Sequence, residues 1–331
     1  MLVRGRAGDF QTMNRRTLLA GLGGLFALSA LPALAQDKTY TLIPKYTAGE
    51  MVKNKLEVIY NFKYKDKDGK PLSLPGLNGE SMKMKIHSTS VTKTKSITAD
   101  GTVTLSTQTR NGSMEMMGRV TELPSSEMTM TVGKDGKSLK VDTTKVDPSA
   151  TQFMDMFQFD KLSSNGFMPP EKPVKIGDKW EQDMAGVMQG MAMKVVNEAM
   201  AVERIGSVDT LRIKQTMAGT MSLNMGKNGA PSKEKVEGGL TIAGDFLGEF
   251  IYNISVAEAR MIKYAGTFTA DMKMELPKET AAQSPFGSTM NMSMEGTMNQ
   301  TLLSIGKISD EPAPKKAVAP KKPATKKPKK S

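Results

Sequence analysis

Cysteine is absent from the 331-residue chain, and histidine occurs once, at His87. Without cysteine the fold carries no disulfide, and thiolate nucleophiles and zinc–cysteine sites are excluded. A single histidine removes most nucleophile–base pairs. Nor does the chain contain a Gly-x-Ser-x-Gly elbow, a phosphate-cradling Gly-rich loop or a His-Glu-x-x-His helix. Carboxylates are plentiful, but nothing singles out a pair for hydrolysis. The sequence therefore reads as a non-enzyme. Strong charge is also missing from its body. Of the formal +12, residues 1–35 carry +3 and residues 310–331 carry +6, leaving +3 on residues 36–309. A body so close to neutral offers no basic surface for nucleic acid.

There is one long apolar run, from Leu18 to Leu34, preceded by Asn14-Arg15-Arg16-Thr17 and closed by Ala33-Leu34-Ala35. A basic head, a short apolar stretch and a small-x-small exit make a secretory signal over residues 1–35, cut near Ala35-Gln36. As a transmembrane anchor the run sits at the lower limit of the ~17–25 residues required, and glycines dilute it. Paired arginines followed by Thr-Leu-Leu resemble the twin-arginine signal, although Asn14 and Leu18 stand where Ser and Phe are usual, so the general secretion route fits too. Met13 is an alternative start. No cysteine lies at the cleavage point to take a lipid. The expected location is periplasmic or extracellular.

Residues 310–331 read DEPAPKKAVAPKKPATKKPKKS, with nothing aromatic and almost nothing to bury. Such composition does not offset ordering entropy, so a disordered tail with polyproline II character is expected, roughly 70 Å when extended at ~3.1 Å per residue. Lysine pairs punctuate it, among them Lys315 and Lys316, Lys321 and Lys322, and Lys326 and Lys327. They suit an anionic envelope polymer or membrane surface, each charge adding ~1 kcal/mol. A plain solubilising role is the alternative.

Between these ends the pattern alternates apolar and polar residues. Leu56–Phe62, Thr102–Thr107, Met128–Val132, Thr210–Lys214, Phe250–Ile254 and Thr267–Met272 all have the period of half-buried strands. Lys67-Asp68-Gly69-Lys70, Ala99-Asp100-Gly101, Arg110-Asn111-Gly112 and Lys134-Asp135-Gly136 read as tight hairpin turns. The fold class is thus mainly β, with antiparallel sheets forming a sandwich or an open half-barrel. One helix is expected after Asp147-Pro148, where Ala150, Phe153, Met154 and Phe157 fall at helical spacing, ending by Asn165-Gly166.

The segments on either side of that helix look alike. Met82-Lys83-Met84-Lys85 matches Met191-Ala192-Met193-Lys194. Gln108-Thr109 followed by Gly112-Ser113-Met114 matches Gln215-Thr216 followed by Gly219-Thr220-Met221. This suggests a duplication, with a first β half at 36–146, a helix and linker at 147–175 and a second β half at 176–309. Pro169-Pro170-Glu171-Lys172-Pro173 followed by Val174-Lys175-Ile176-Gly177-Asp178-Lys179-Trp180 resembles the linker of an uncharacterised family of bacterial secreted or lipoprotein-type domains. In that family a Pro-rich stretch and a Val-x-x-Gly-Asp-x-Trp turn join two β-rich halves. Tyr46-Thr47-Ala48-Gly49-Glu50 adds to the likeness. The resemblance implies the fold and no activity.

The compositional oddity is 28 methionines. Many sit two residues apart: Met82 and Met84, Met114 and Met116, Met128 and Met130, Met191 and Met193, Met272 and Met274, and the triplet Met290, Met292 and Met294. In a strand each pair projects to one face. Three roles fit such pairs. They are flexible core filler, or they line a deformable surface for a lipid-like ligand, joined by Trp180, whose other reading is an anchor of its strand in the core. In the third role the thioethers hold Cu(I), with Met290, Met292 and Met294 foremost. Alternation from Met84 puts His87 on the opposite side of its strand. The leading reading is an exported, non-catalytic binder of an apolar or envelope-derived ligand. A periplasmic Cu(I)-binding protein and a structural envelope component are the alternatives.

Overall fold

The computed structural model describes residues 38–66, 68–72, 81–146, 169–183, 190–226, 231–232, 236–283 and 287–308. The signal and the helix expected after Asp147-Pro148 lie outside the described residues. So does the tail, with Lys315, Lys316, Lys321, Lys322, Lys326 and Lys327. In chain order the elements are β1 (Glu50–Lys65), β2 (Met82–Ile97), β3 (Val103–Met116), β4 (Arg119–Leu123), β5 (Ser126–Val132), β6 (Ser138–Lys145), β7 (Lys179–Asp183), β8 (Met191–Ile205), β9 (Val208–Met225), β10 (Pro231–Ser232), β11 (Leu240–Ser255), β12 (Met261–Glu275), a short helix α1 (Lys278–Gln283) and β13 (Thr289–Lys307).

All thirteen strands belong to one antiparallel sheet, ordered β6-β5-β3-β2-β1-β13-β12-β11-β9-β8-β7, with β4 on β3 and β10 on β9. Among the described residues the sheet does not close into a barrel; it is one large, open antiparallel sheet, in keeping with the mainly β class expected. Both segments that look alike enter it, because the last strand, β13, returns to pair with β1. Strands of 18 and 19 residues, β9 and β13, are long beside the usual 3–10.

Three of the expected turns form. Gly69, Gly101 and Gly136 each take a positive φ of 80–86°, which suits glycine. Arg110-Asn111-Gly112 is a correction. Asn111 has φ 50° but lies inside β3, and the β2–β3 register slips between His87 and Thr89. Asn-Gly there makes a bulge, the other structure its positive φ serves. The hairpin to β4 is made instead by Met117-Gly118, with φ 52° and 73°. Because β3 carries this bulge, Gln108 faces the side opposite to Gln215, while Met114 and Met221 share a face.

One face holds both cores. The larger joins Ala199, Leu211, Ile213, Phe250, Tyr252, Ile254, Tyr264 and Phe268 to Tyr40, Leu42 and Val174. Full burial of a side chain such as Leu211 or Ile213 stabilises by roughly 1.5–3 kcal/mol. Tyr40 and Val174 exchange backbone hydrogen bonds of 2.7 and 3.0 Å, so residues 38–46 form a strap over one end of this inner face. The Lys45 amide fastens the strap to the Glu258 carbonyl at 3.0 Å. The smaller core joins Val103, Leu105, Met130 and Val132. The outer face is wet and charged. It carries cross-strand pairs such as Lys85–Glu115 at 3.1 Å and Lys214–Glu249 at 2.8 Å. His87 is there, its Nδ1 3.5 Å from Glu57 Oε2, as the alternation required.

Candidate functional site

Directly opposed residues in an antiparallel pair point to the same side, so the ladder shows where each methionine goes. Met84 opposes Met116 across β2–β3, and Ile86 opposes Met114. On its other side Met84 opposes Tyr60, which opposes Gly296, which in turn opposes Phe268. Met82 leads through Phe62 to Met294 and Ala270. Met272 opposes Met292 and Met274 opposes Met290. Across Gly244, Met272 continues to Met221 and then Met191. Met193 follows on the same side of β8. The pairs noted in the sequence therefore converge on the inner face, across at least six strands.

Their surroundings differ. Met272 and Met290 are buried, at 8% and 9% exposure. Met82, Met84, Met114, Met116, Met191, Met193, Met274, Met292 and Met294 are half-buried. They lie toward the ends of the strands away from the strap. Met128 and Met130 stand apart, beside the smaller core, and Met130 is buried within it. Trp180 packs half-buried against the larger core at the edge strand β7, held by a turn in which Gly177 has φ 92°. That placement makes Trp180 an anchor of the core.

Several inner-face residues escape sequence reasoning. Met217, Met221 and Met225 share the face, but Gly219 and Leu223 interrupt the methionine pattern between them. Aromatic rings complete the surface: Phe246 stacks on Phe268 with centroids 5.8 Å apart, and Tyr60 meets Phe268 edge-on at 5.6 Å. Glycines make room for these rings. A Cβ on Gly296 would lie 2.1 Å from Phe268 Cζ, and one on Gly266 2.2 Å from Phe250 Cδ1. A strand glycine under a ring is the position where the sheet accepts an aromatic lying flat along it.

A row of polar side chains on this face is linked by hydrogen bonds. Tyr252 Oη donates to Gln215 Oε1 at 3.2 Å, Gln215 Nε2 donates to Asn197 Oδ1 at 3.0 Å, and Asn197 Nδ2 donates to Gln182 Oε1 at 3.1 Å. Burial raises the Tyr252 and Tyr264 phenols above their ordinary value, and does the same to Tyr60 and Tyr64, so all four stay neutral well past physiological pH. Near the strap, Arg260 Nη2 donates to Glu50 Oε2 at 2.7 Å, both side chains being largely buried. The face can thus take up apolar matter without leaving a buried charge unpaired at these positions.

No protein-family model matches the chain, and no curated protein does. Among solved structures, one of lipovitellin, a study of lipid–protein interactions, aligns at TM-score 0.42 and 12% identity. It covers 82% of this chain and 27% of that one, so the chain spans about a quarter of that protein. A Bacteroides fragilis protein proposed to be exported, with a YmcC-like fold, aligns at TM-score 0.23 and 10% identity, over 82% of this chain and 100% of its own. A Parabacteroides distasonis protein proposed to be a lipoprotein aligns at 0.24 and 10%, over 81% and 100%. These likenesses are loose, and the site rests on its own geometry.

Proposed function

We propose that this chain is an exported, non-catalytic protein that binds an apolar, lipid-like ligand on the methionine-lined part of its inner face. One observation carries the reading: the register turns methionines from separate strands into a single half-buried surface, continuous with the aromatic core. Thioether side chains are flexible and polarisable, so they repack around guests of varied shape where β-branched residues would not. Export follows from the signal-like residues 1–35.

The test is titration of the mature protein with N-phenylnaphthylamine, whose fluorescence rises in an apolar site. Saturable one-to-one binding is expected, weakened about tenfold by Met84→Gln with Met116→Gln, the loss of ~1.4 kcal/mol of apolar contact. Binding unaffected by these changes refutes the assignment.

A second reading is favoured by two opposed pairs, Met272 with Met292 and Met274 with Met290, which bring four thioethers onto neighbouring rungs beside Met294. Soft sulfur ligands of this kind suit Cu(I). Titration with Cu(I) under reducing conditions separates the two readings: binding tighter than micromolar, lost in Met290→Leu with Met292→Leu, supports the metal.

A further inference from the structure

Between the strap and the inner face of β1, β2, β3 and β5 lies a cavity of about 280 Å³. Its character differs from that of the methionine surface. The sheet contributes Asn54, Ser90, Thr92, Thr94, Thr107 and Gln300, all hydroxyl or amide side chains. The register shows that they face inward: Asn54 opposes Ser90, Thr92 opposes Thr107, and Gln300 opposes Leu56 and Tyr264. Val52, Leu105, Met128, Met130 and Met261 form the apolar wall. The two ionic side chains inside, Glu50 and Arg260, neutralise each other at 2.7 Å. Lys45 at the rim donates its ammonium to the Ala257 carbonyl at 2.7 Å.

Inner-face hydroxyls and amides are the unusual element. An inward-facing sheet position ordinarily holds an apolar residue, and β-branched Val would fill the space of Thr with no polar group to satisfy. Thr92 and Thr107 share one hydrogen bond, Oγ1 to Oγ1 at 2.9 Å. A hydroxyl has one donor and two acceptor sites, so this bond leaves capacity on both toward the cavity. The volume is near the lower end of small-molecule sites, about 300–1,000 Å³. It suits a headgroup and is too small for a whole lipid. Met298, one rung from Gln300 along β13, leads from the cavity to the methionine surface.

We infer that the ligand is an amphiphile whose uncharged, hydroxyl-rich headgroup, a sugar or polyol, enters this cavity while its chain lies along the methionines. The inference rests on the reading that the inner face holds the apolar part. Glu50 and Arg260 are already paired, the Lys45 ammonium is held by a backbone carbonyl at the rim, and the hydroxyls and amides offer both donors and acceptors, as a polyol needs.

The experiment displaces N-phenylnaphthylamine from the full mature protein with three twelve-carbon amphiphiles below their micellar range: dodecyl maltoside, dodecylphosphocholine and dodecanoate. Wild type is expected to bind the maltoside at least tenfold more tightly than the other two. Thr92→Val with Thr107→Val removes both partners of one hydrogen bond, a change close to neutral for stability. In this variant the preference should fall about tenfold while the probe binds as before. Thr94→Val alone supplies an independent cavity variant, with thermal melting checking each fold. Equal affinity for the three amphiphiles, or an undiminished preference in the folded variants, overturns the headgroup assignment and leaves the apolar site standing. Failure of the probe itself to bind overturns both.

Discussion

Met272 of β12 and Met292 of β13 stand directly opposite each other on the inner face, yet only Met272 is buried. The methionine surface grades from packing into lining within one rung. Truncating a buried methionine leaves a cavity and costs about 2–5 kcal/mol, whereas a half-exposed one gives up less. Met272→Ala is therefore expected to destabilise by about 3 kcal/mol, and Met84→Ala or Met116→Ala by about 1 kcal/mol. Urea unfolding measures each. Equal losses at all three positions would mean that the methionines form ordinary core.

Glycine beneath an aromatic ring sets a second test. Gly296→Ala puts a Cβ 2.1 Å from Phe268 Cζ, so ring or strand must move. Overpacking of this kind costs about 1–3 kcal/mol. Phe268→Leu should recover most of the loss in the double variant, because the two residues are in contact. Additive losses would show that the glycine serves the backbone and not the ring.

The buried ion pair near the strap gives a third. Removing one partner strands the other charge, a cost of about 3 kcal/mol or more. Glu50→Gln and Arg260→Met are each expected to lower the urea midpoint clearly, and the double variant by less than either alone. A double variant worse than both singles contradicts the pairing.

Acid sensitivity follows from Glu127. The Ser106 hydroxyl, donating at 2.9 Å, is the main cause holding this carboxyl below the usual range, with Lys145 assisting at 3.5 Å. A depressed folded pKa gives stability that is present above the unfolded value, about 4.3, and lost as pH falls through the folded one. Ser106→Ala should thus cost more at pH 7 than at pH 3. The same loss at both, by urea unfolding, contradicts this account.

Much of the architecture was legible because alternation and Asp-Gly turns are local signals. Leu56–Phe62 and Thr267–Met272 fall inside β1 and β12, and Gly101 and Gly136 make the turns expected of them. Convergence of the methionines was legible only strand by strand, since period two fixes a face but not which strands are neighbours. The β1–β13 pairing joins residues more than two hundred positions apart, and no local pattern announces it. Asn111-Gly112 misled because a positive φ serves a bulge as well as a turn. The polar cavity stayed hidden for a related reason. Ser90, Thr92 and Thr107 look like solvent-facing strand residues until the strap at Pro44–Tyr46 closes over them.

The lysine-rich tail makes a separate claim. Deleting residues 310–331, and with them the pairs at Lys315 and Lys316, Lys321 and Lys322, and Lys326 and Lys327, is expected to abolish salt-sensitive binding to vesicles of anionic phospholipid. N-phenylnaphthylamine binding should be unchanged. Vesicle binding that survives the deletion removes the tether.

Methionine oxidation footprinting with and without a bound amphiphile tests the methionine surface most directly. Met117 and Met200 are exposed on a turn and a strand bulge, at 49% and 42%, and serve as internal controls. Met82, Met84, Met114, Met116, Met191 and Met193 should oxidise in the free protein and be protected when dodecyl maltoside is bound, while Met117 and Met200 react equally in both. Lining methionines that stay reduced without ligand, or that oxidise at the same rate with it, would contradict a ligand surface on the inner face.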